Sequence, residues 1–168
     1  MKVKEIMNKE VHSCRSDTDL AMAAMQMWDG DFGVLPVVAN GGTVVGIITD
    51  RDICMATATK RCDPGQIHVE DVMTGQVYGC SPETEIHEAL KIMQQRRVRR
   101  LPVMSANDGK LVGILSLNDV ALKAQADVKA ALSAQDVEST LKSICAHPEF
   151  SLAMPFPTAA PKAVAMAG

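Results

Sequence analysis

Two short segments of the sequence combine a hydroxyl residue with an aspartate three positions later, directly after an apolar run. Thr49 precedes Asp52 in VVGIITDRDI, and Ser116 precedes Asp119 in LVGILSLNDV. This pattern is typical of a strand that ends at a helix N-terminus, where the hydroxyl caps the helix. Helix N-termini attract anions such as phosphate, because their N–H groups are unpaired and the helix dipole is positive there. A carboxylate in the same turn is suited to the hydroxyls of a ribose, so the pattern suggests two nucleotide sites.

The two segments are parts of an internal repeat. A constant offset aligns residues along both halves of the chain, and after one inserted residue the alignment continues through both segments. The aligned pairs include Val3 and Val69, Met7 and Met73, Cys14 and Cys80, Pro36 and Pro102, and Gly46 and Gly113. We therefore predict a first repeat over residues 1–66 and a second over residues 67–125.

Each repeat is predicted to contain a short lead helix, a small strand, a helix, two strands joined by a tight turn, and a final helix. Apolar residues with a helical period indicate the first long helix, and Asn-Gly and Asp-Gly sequences indicate the turns. The predicted lead helices and strands are Val3–Met7, Val11–Cys14, Val34–Val38 and Val44–Ile48 in the first repeat, and Val69–Met73, Val77–Cys80, Leu101–Met104 and Leu111–Leu115 in the second.

After the second repeat the sequence predicts a helical extension over residues 126–147, with helices at Ala121–Ala134 and Asp136–Ala146. Val137, Leu141, Ile144 and Cys145 are predicted to form the apolar side of the latter helix. Residues 148–168 are rich in proline and alanine and nearly uncharged, which predicts a poorly ordered tail.

The composition excludes several classes of protein. A formal net charge of −3 argues against capture of nucleic acid or anionic membranes by bulk electrostatics, and no apolar run approaches the roughly 20 residues of a membrane span. The first residues, MKVKEIMNKE, lack the apolar core of a signal peptide. We therefore expect a cytoplasmic protein whose five cysteines are reduced.

Each candidate site residue also has a purely structural interpretation. The two hydroxyl–aspartate pairs fit helix caps that need no ligand, and the arginines at 96, 97, 99 and 100 fit a solvated helix end. Met22, Met25, Met27 and Met93 are expected to fill the core. The cysteines leave a metal-responsive or thiol-redox protein open, although no Cys-x-x-Cys pair marks a zinc site. No nucleophile elbow, phosphate-binding glycine loop or catalytic triad is present, so we expect no enzyme.

The chain resembles the cystathionine-β-synthase (CBS) domain pair, also called a Bateman module. The resemblance rests on KEIM and EDVM, on VLPVV and RLPVM, and on VVGIITDRDI and LVGILSLNDV, and it covers about residues 1–125. It implies a mixed α/β fold of two βαββα repeats, packed sheet to sheet with pseudo-twofold symmetry and two clefts. It also implies frequent homodimers, and ligands such as AMP, ADP, ATP or S-adenosylmethionine.

The resemblance implies ligand roles for particular residues. Thr49 and Asp52 would hold phosphate and ribose in one site, with Asp50 and Arg51 between them, and Ser116 and Asp119 would do so in the other, with Asn118 between them. Backbone groups of the first strand of each repeat would contact adenine. These are His12, Ser13 and Cys14 in the first repeat and Tyr78, Gly79 and Cys80 in the second. Arg99 and Arg100 would reach phosphate from the second repeat, where the first has Gly33 and Val34.

The chain looks like the stand-alone bacterial type of CBS pair, including those proposed to act in stress or hypoxic responses. We expect a non-catalytic sensor that needs no cofactor, binds an adenine nucleotide or S-adenosylmethionine as a regulatory ligand, and relays occupancy to an unidentified effector protein. We also expect a homodimer. The alternatives are a constitutive dimerisation scaffold without ligand, and a metal- or redox-responsive protein.

Overall fold

The structure is a computed structural model that describes residues 1–126 and 131–146. Each repeat places two helices against a small sheet, as the sequence predicts. The first repeat contains β1 (Cys14–Arg15), α1 (Leu20–Asp29), β2 (Val34–Val38), β3 (Val44–Thr49) and α2 (Asp50–Lys60). The second contains α3 (Ile86–Arg96), β4 (Arg100–Met104), β5 (Leu111–Ser116) and α4 (Leu117–Lys123), and α5 (Ala134–Cys145) follows it.

The sheets follow the predicted hairpins. β2 and β3 pair antiparallel in the first repeat, as β4 and β5 do in the second, and β1 adds a short parallel edge to β2. The second repeat replaces β1 by a single parallel bridge between Cys80 and Val103. Gly41, Gly42 and Gly109 have positive φ in the tight turns, a backbone conformation that glycine adopts without strain. The predicted α/β fold of two repeats is therefore confirmed.

The beginning of each repeat differs from the prediction. The expected lead helices are single 3-10 turns at Val3–Glu5 and Val69–Asp71, and the expected strand at Val11–Cys14 is reduced to β1. The physical reason is that the residues before β1 pair with the opposite repeat. Asn8 and Ile114 of β5 exchange two backbone hydrogen bonds of 2.9 Å.

The lead segments, which we define as residues 1–12 and 67–78, therefore cross between the repeats. Val3 is buried in the core of the second repeat and Val69 in that of the first. The second crossing mirrors the first, because Thr74 and Ile47 of β3 exchange backbone hydrogen bonds of 2.9 and 3.1 Å. The two repeats are thus joined by backbone pairing as well as by side-chain packing.

A glycine lies under each crossing segment. A Cβ atom on Gly113 would lie 2.8 Å from Met7 Sδ and 3.0 Å from the Asn8 carbonyl oxygen, which is backbone and cannot rotate away. Gly113→Ala is therefore expected to lower the free energy of unfolding by roughly 1–3 kcal/mol, the usual cost of overpacking. Urea denaturation measures this loss. Gly75→Ala is the control, because a Cβ there meets nothing within 4 Å; equal losses in both variants would contradict the prediction.

Two of the four methionines that were expected to be buried are not. Met27 and Met93 are in the cores, but Met22 is 49% and Met25 is 57% exposed on α1. The prediction was wrong because α1 is apolar on more than one face, and only the face with Leu20, Ala23 and Met27 packs against the sheet.

The C-terminal extension also departs from the prediction. The expected helix Ala121–Ala134 is wrong, because α4 ends at Lys123 and Ala124 has extended backbone. α5 begins only at Ala134, after the cap formed by Ser133. It packs on α3, where Gln94 Nε2 donates a 2.8 Å hydrogen bond to Thr140 Oγ1.

Val137 and Ile144 of α5 contact the core of the second repeat, whereas Leu141 is 43% exposed. Leu141 is therefore not part of the packed side of the helix, which uses Thr140 in its place. The tail predicted over residues 148–168 lies outside the described residues. No helix in the described part of the chain is long and apolar enough to span a bilayer.

Candidate functional site

The N-terminus of α2 is capped by the predicted residue pair. The backbone N–H of Asp52 donates to Thr49 Oγ1 at 3.2 Å, while the Thr49 N–H and hydroxyl both donate to Asp52 Oδ2, at 3.0 and 2.7 Å. The cap thus engages Oδ2 of Asp52 and not Oδ1. The α4 cap is equivalent, with Ser116 and Asp119 at 3.1, 2.8 and 2.6 Å.

Each capped helix begins beside the residue that precedes the first strand of its own hairpin, β2 or β4. The N–H of Asp50 donates to the Gly33 carbonyl at 3.2 Å, and that of Leu117 donates to the Arg99 carbonyl at 2.9 Å. A Cβ on Gly33 would lie 2.5 Å from Asp50 Oδ2, so the missing side chain makes room for this carboxylate. The same place in the second repeat carries Arg99. The two repeats therefore carry different side chains at this position.

The first cleft, which we name the arginine cleft, lies between the repeats beside Thr49. Its volume is about 390 Å³, and Thr49, Asp50 and Arg51 from the first repeat face Arg97, Arg99 and Arg100 from the second across it. Apolar walls complete the cleft. They are formed by Val34, Pro36, Ile47, Val98, Pro102 and Ile114. Four guanidinium groups beside a helix N-terminus, with apolar walls, suit a ligand that combines an anionic group with a flat ring system.

The second cleft, which we name the serine cleft, adjoins the first at Val34, Arg100 and Ile114 and has a volume of about 150 Å³. Ser116 and Asp119 line it together with the first lead segment. The lead residues are Asn8, Glu10, Val11 and His12, and Phe32, Val34, Arg100 and Ile114 complete the lining. His12 and Phe32 form an aromatic pair with ring centroids 5.2 Å apart. An aromatic pair in the same cleft as Asp119, whose cap engages only Oδ2, suits a nucleoside.

Arg100 lines both clefts. It is the first residue of β4 and lies between them, partly buried. The equivalent residue of the first repeat, Val34, also lines both clefts but is uncharged. The pseudo-twofold symmetry of the fold is therefore broken between the clefts, and Arg100 is the arginine that they share.

The structure brings together some of the predicted site residues and separates others. His12 lies with Ser116 and Asp119 of the opposite repeat, because the lead segment crosses over. Asp52 accepts a hydrogen bond from Thr49 but does not line either cleft. Asn118 is exposed on α4 and does not line either cleft. Ser13 lines a shallow surface pocket with Lys9 instead.

The predicted adenine-contacting residues of the second repeat lie away from both clefts. The Tyr78 ring lies 4.5 Å from the Arg96 guanidinium, and a Cβ on Gly79 would lie 2.7 Å from the Pro102 carbonyl oxygen. Cys80 is buried in the core of the second repeat, and Cys14 in that of the first.

Several cleft residues were not predicted. Asn8, Glu10 and Phe32 give no local signal in the sequence, because they reach the serine cleft only through the crossing of the chain. Arg97 belongs to the arginine run that the sequence does show.

The cysteines fall into two classes. Burial raises the pKa of the Cys14 thiol and that of the Cys80 thiol from 9.0 to about 11, so both stay protonated at neutral pH. Cys54, Cys62 and Cys145 are exposed. In the described residues no three side chains of histidine, cysteine, aspartate or glutamate are grouped for a metal ion.

The raised thiol pKa values predict a loss of stability in alkali. The unfolded chain releases these protons from about pH 9 and the folded chain only near pH 11, so the free energy of unfolding falls as pH rises through this range. We expect a loss of roughly 2 kcal/mol for each thiol. Urea denaturation at pH 8 and pH 10.5 measures it. The double variant Cys14→Ala/Cys80→Ala is expected to show a smaller fall than the wild type, and Cys54→Ala an unchanged one; identical falls in all three would contradict the assignment.

Comparison with known proteins agrees with this architecture. The family model described as CBS domain matches residues 3–58 and 69–125. The CBS domain-containing protein YhcV of Bacillus subtilis is 33% identical over 128 residues, which cover 76% of this chain and 89% of that protein.

Solved structures of similar fold include two with bound groups. The crystal structure of hypoxic response protein I with two coordinated zinc ions matches with a TM-score of 0.68 and 30% identity, over 74% of this chain and all (100%) of that chain. The CBS domain pair of protein MJ0100 in complex with 5′-methylthioadenosine and S-adenosyl-L-methionine matches with a TM-score of 0.66 and 25% identity, over 73% and 94% of the two chains. This chain therefore belongs to the CBS domain family and carries two CBS domains in tandem.

Proposed function

We propose that this protein is a non-catalytic regulator that binds an adenosine-containing ligand between its two CBS domains and relays occupancy to a partner protein. The single observation that carries the proposal is a cleft of about 390 Å³ in which Arg97, Arg99 and Arg100 face the capped N-terminus of α2, whose first turn adds Arg51. The related MJ0100 domain pair, whose complex contains two adenosine derivatives, supports the class of ligand.

The proposed binding mode assigns a part of the ligand to each cleft feature. Phosphate groups lie between Thr49 and the guanidinium groups in the arginine cleft. In the serine cleft the ribose hydroxyls donate to Asp119 Oδ1, which the helix cap leaves free. Adenine lies against the apolar wall of the arginine cleft, or beside His12 and Phe32 in the serine cleft.

The proposed relay follows from the position of the clefts. Both are lined by residues of the two domains, so a bound ligand contacts both and favours one relative arrangement of them. The lead segments cross at the same place and would transmit the change along the backbone. We further propose that the protein acts in the cytoplasm, where its five free cysteines stay reduced.

Isothermal titration calorimetry with AMP, ATP, S-adenosylmethionine and adenosine tests the proposal. Saturable binding of at least one of them at micromolar concentration is the expected result. No heat with any of the four, together with an unchanged thermal unfolding temperature, would reject the ligand-binding function.

The second candidate function is a constitutive scaffold, and one observation favours it. Ser133 and Asp136 form the same cap at α5, with distances of 3.3, 2.8 and 2.7 Å, although this site is not one of the repeated segments. The hydroxyl–aspartate cap therefore stabilises a helix in this chain without any cleft. The calorimetric experiment separates the two candidates, because a scaffold binds none of the four compounds.

A further inference from the structure

A groove of about 470 Å³ lies between α1 and α2 of the first repeat, next to the arginine cleft. We name it the helix groove. Its floor is apolar, because Ala24 and Met27 of α1 and Ile53 of α2 form it. The aromatic rings of Trp28 and Phe32 line the groove as well. The helix groove can therefore hold an apolar group of moderate size.

Three charged residues line the same groove. Asp31 and Asp50 belong to the first repeat, and Arg100 enters from β4 of the second. None of the three takes part in an ion pair among the described residues, 1–126 and 131–146. The groove thus offers two carboxylates and one guanidinium group beside an apolar floor.

The end of α1 places Asp31 at the groove. The N–H of Phe32 donates to the Met27 carbonyl at 3.1 Å, a helix ending that needs left-handed backbone at the residue before Phe32. Asp31 has this backbone, with φ of 52°, although glycine is the residue that adopts it without strain. Arg97 aligns with Asp31 and has φ of 54° at the end of α3. The helix ending therefore does not require an acidic residue, and the carboxylate of Asp31 is particular to the groove.

In the second repeat the equivalent place is filled by α5. Gln94, which aligns with Trp28, donates a hydrogen bond to Thr140 of α5. Arg99 Nη2 donates to Cys145 Sγ at the end of the same helix, at 3.9 Å. In the described part of the chain no helix covers the first repeat in this way. The helix groove is therefore open to a ligand.

We propose that the helix groove binds a free amino acid with an apolar side chain. Arg100 pairs with its α-carboxylate, because a guanidinium group can donate two parallel hydrogen bonds to a carboxylate. Asp31 and Asp50 accept hydrogen bonds from the α-ammonium group, and the side chain of the ligand lies on the apolar floor. A wholly apolar occupant fits less well, since it would bury the three charged groups without partners.

Titration of tryptophan fluorescence tests the proposal, because Trp28 lines the groove and is the only tryptophan in the chain. The probes are L-leucine, L-methionine and L-phenylalanine. Saturable binding of at least one of them, with a dissociation constant below about 1 mM, is the expected result. Calorimetry with the same compounds detects binding that leaves the emission unchanged. No binding of any of the three by either method would overturn the proposal.

Analogues that lack one charge test the assignment of the charged groups. For leucine they are isopentylamine, which lacks the carboxylate, and 4-methylpentanoate, which lacks the ammonium group. Each analogue of the amino acid that binds best is expected to bind about tenfold or more weakly than the amino acid itself. An analogue that binds as tightly as the amino acid would contradict the proposal.

The variant Asp31→Asn removes one carboxylate and keeps the backbone, because asparagine also tolerates left-handed backbone. It is expected to raise the dissociation constant of the amino acid that binds best about tenfold. Asp29→Asn is the matched control, because Asp29 is exposed at the end of α1 and does not line the groove. Its affinity is expected to stay within about twofold of the wild type.

Equal weakening in Asp31→Asn and Asp29→Asn would mean that net charge and not the groove attracts the amino acid, and it would overturn the assignment. The titrations contain no nucleotide, so their result does not depend on the function proposed for the two clefts.

Discussion

Asp119→Ala is expected to weaken the binding of an adenosine-containing ligand in the serine cleft by about tenfold to a hundredfold. The carboxylate lines the cleft, and its cap engages only Oδ2, so Oδ1 can accept from the ribose in the proposed binding mode. Hydrogen bonds to a charged group contribute about 1.5–3 kcal/mol, and each 1.4 kcal/mol changes a dissociation constant about tenfold. Calorimetric titration of the variant with the ligand that binds best to the wild type measures the loss.

The control for this prediction is Asp136→Ala. Asp136 makes the same cap at α5, so its loss is expected to cost about 1 kcal/mol of stability, as the loss of Asp119 does. It is expected to leave ligand affinity unchanged, because Asp136 lines neither cleft. If Asp119→Ala loses stability but no affinity, as Asp136→Ala is expected to do, then Asp119 is a helix cap and the ribose assignment is wrong.

Asp52→Ala is expected to have a smaller effect on affinity than Asp119→Ala. Asp52 does not line the arginine cleft, whereas Thr49 does. Asp52 acts by accepting the hydrogen bond of the Thr49 hydroxyl, which fixes the position of that hydroxyl. Asp52 and Asp119 are predicted to have the same role because they are equivalent in the repeat. The structure separates them, since only Asp119 lines a cleft.

The fold could be predicted from the sequence wherever the signal is local. The strands β2 to β5, the turn glycines and both capped helices follow from apolar runs and from residues with special backbone preferences. The caps at Thr49 and Ser116 were also local, because a hydroxyl at the N-cap and a carboxylate three residues later face each other across the first helical turn.

The composition of the clefts could not be predicted in the same way. His12 precedes β1 of the first repeat in sequence but lies beside Ser116, because Asn8 pairs with β5 of the second repeat. That pairing depends on the space that the missing Cβ of Gly113 leaves for Asn8. A single glycine in an apolar strand does not by itself predict that another segment will pack against it. The exposed side chains of Met22 and Met25 could not be predicted either, since an apolar residue on a helix favours burial whether or not a partner is present in the same chain.

The crossing of the lead segments lets a ligand in the serine cleft act on the backbone pairing that joins the two repeats. A ligand in the serine cleft contacts the first lead segment and β5 at the point where Asn8 and Ile114 exchange backbone hydrogen bonds. Binding there would stabilise the backbone pairing that joins the repeats. The partner protein would then recognise the joined arrangement, which needs no change in the fold of either repeat.

Arg100→Ala is expected to have the broadest effect on binding. Arg100 lines both clefts, and a guanidinium group can pair two phosphate oxygens at once. We expect ATP and AMP to bind about tenfold to a hundredfold more weakly, because about 1.5–3 kcal/mol is lost with a charge-assisted contact. Adenosine, which has no phosphate, is expected to bind nearly as it does to the wild type. Calorimetric titration with the three compounds measures the difference.

Arg61→Ala is the matched control for the loss of one positive charge. Arg61 is exposed at the C-terminal end of α2, about 16 Å along the helix from the capped N-terminus. Its loss is expected to leave the affinity for ATP within about twofold, since salt screens exposed charges that are more than about 10 Å apart. A comparable loss in both variants would mean that phosphate is attracted by net charge and not by Arg100. Loss of adenosine binding in Arg100→Ala would mean that this side chain holds the clefts in shape, and that the phosphate lies elsewhere.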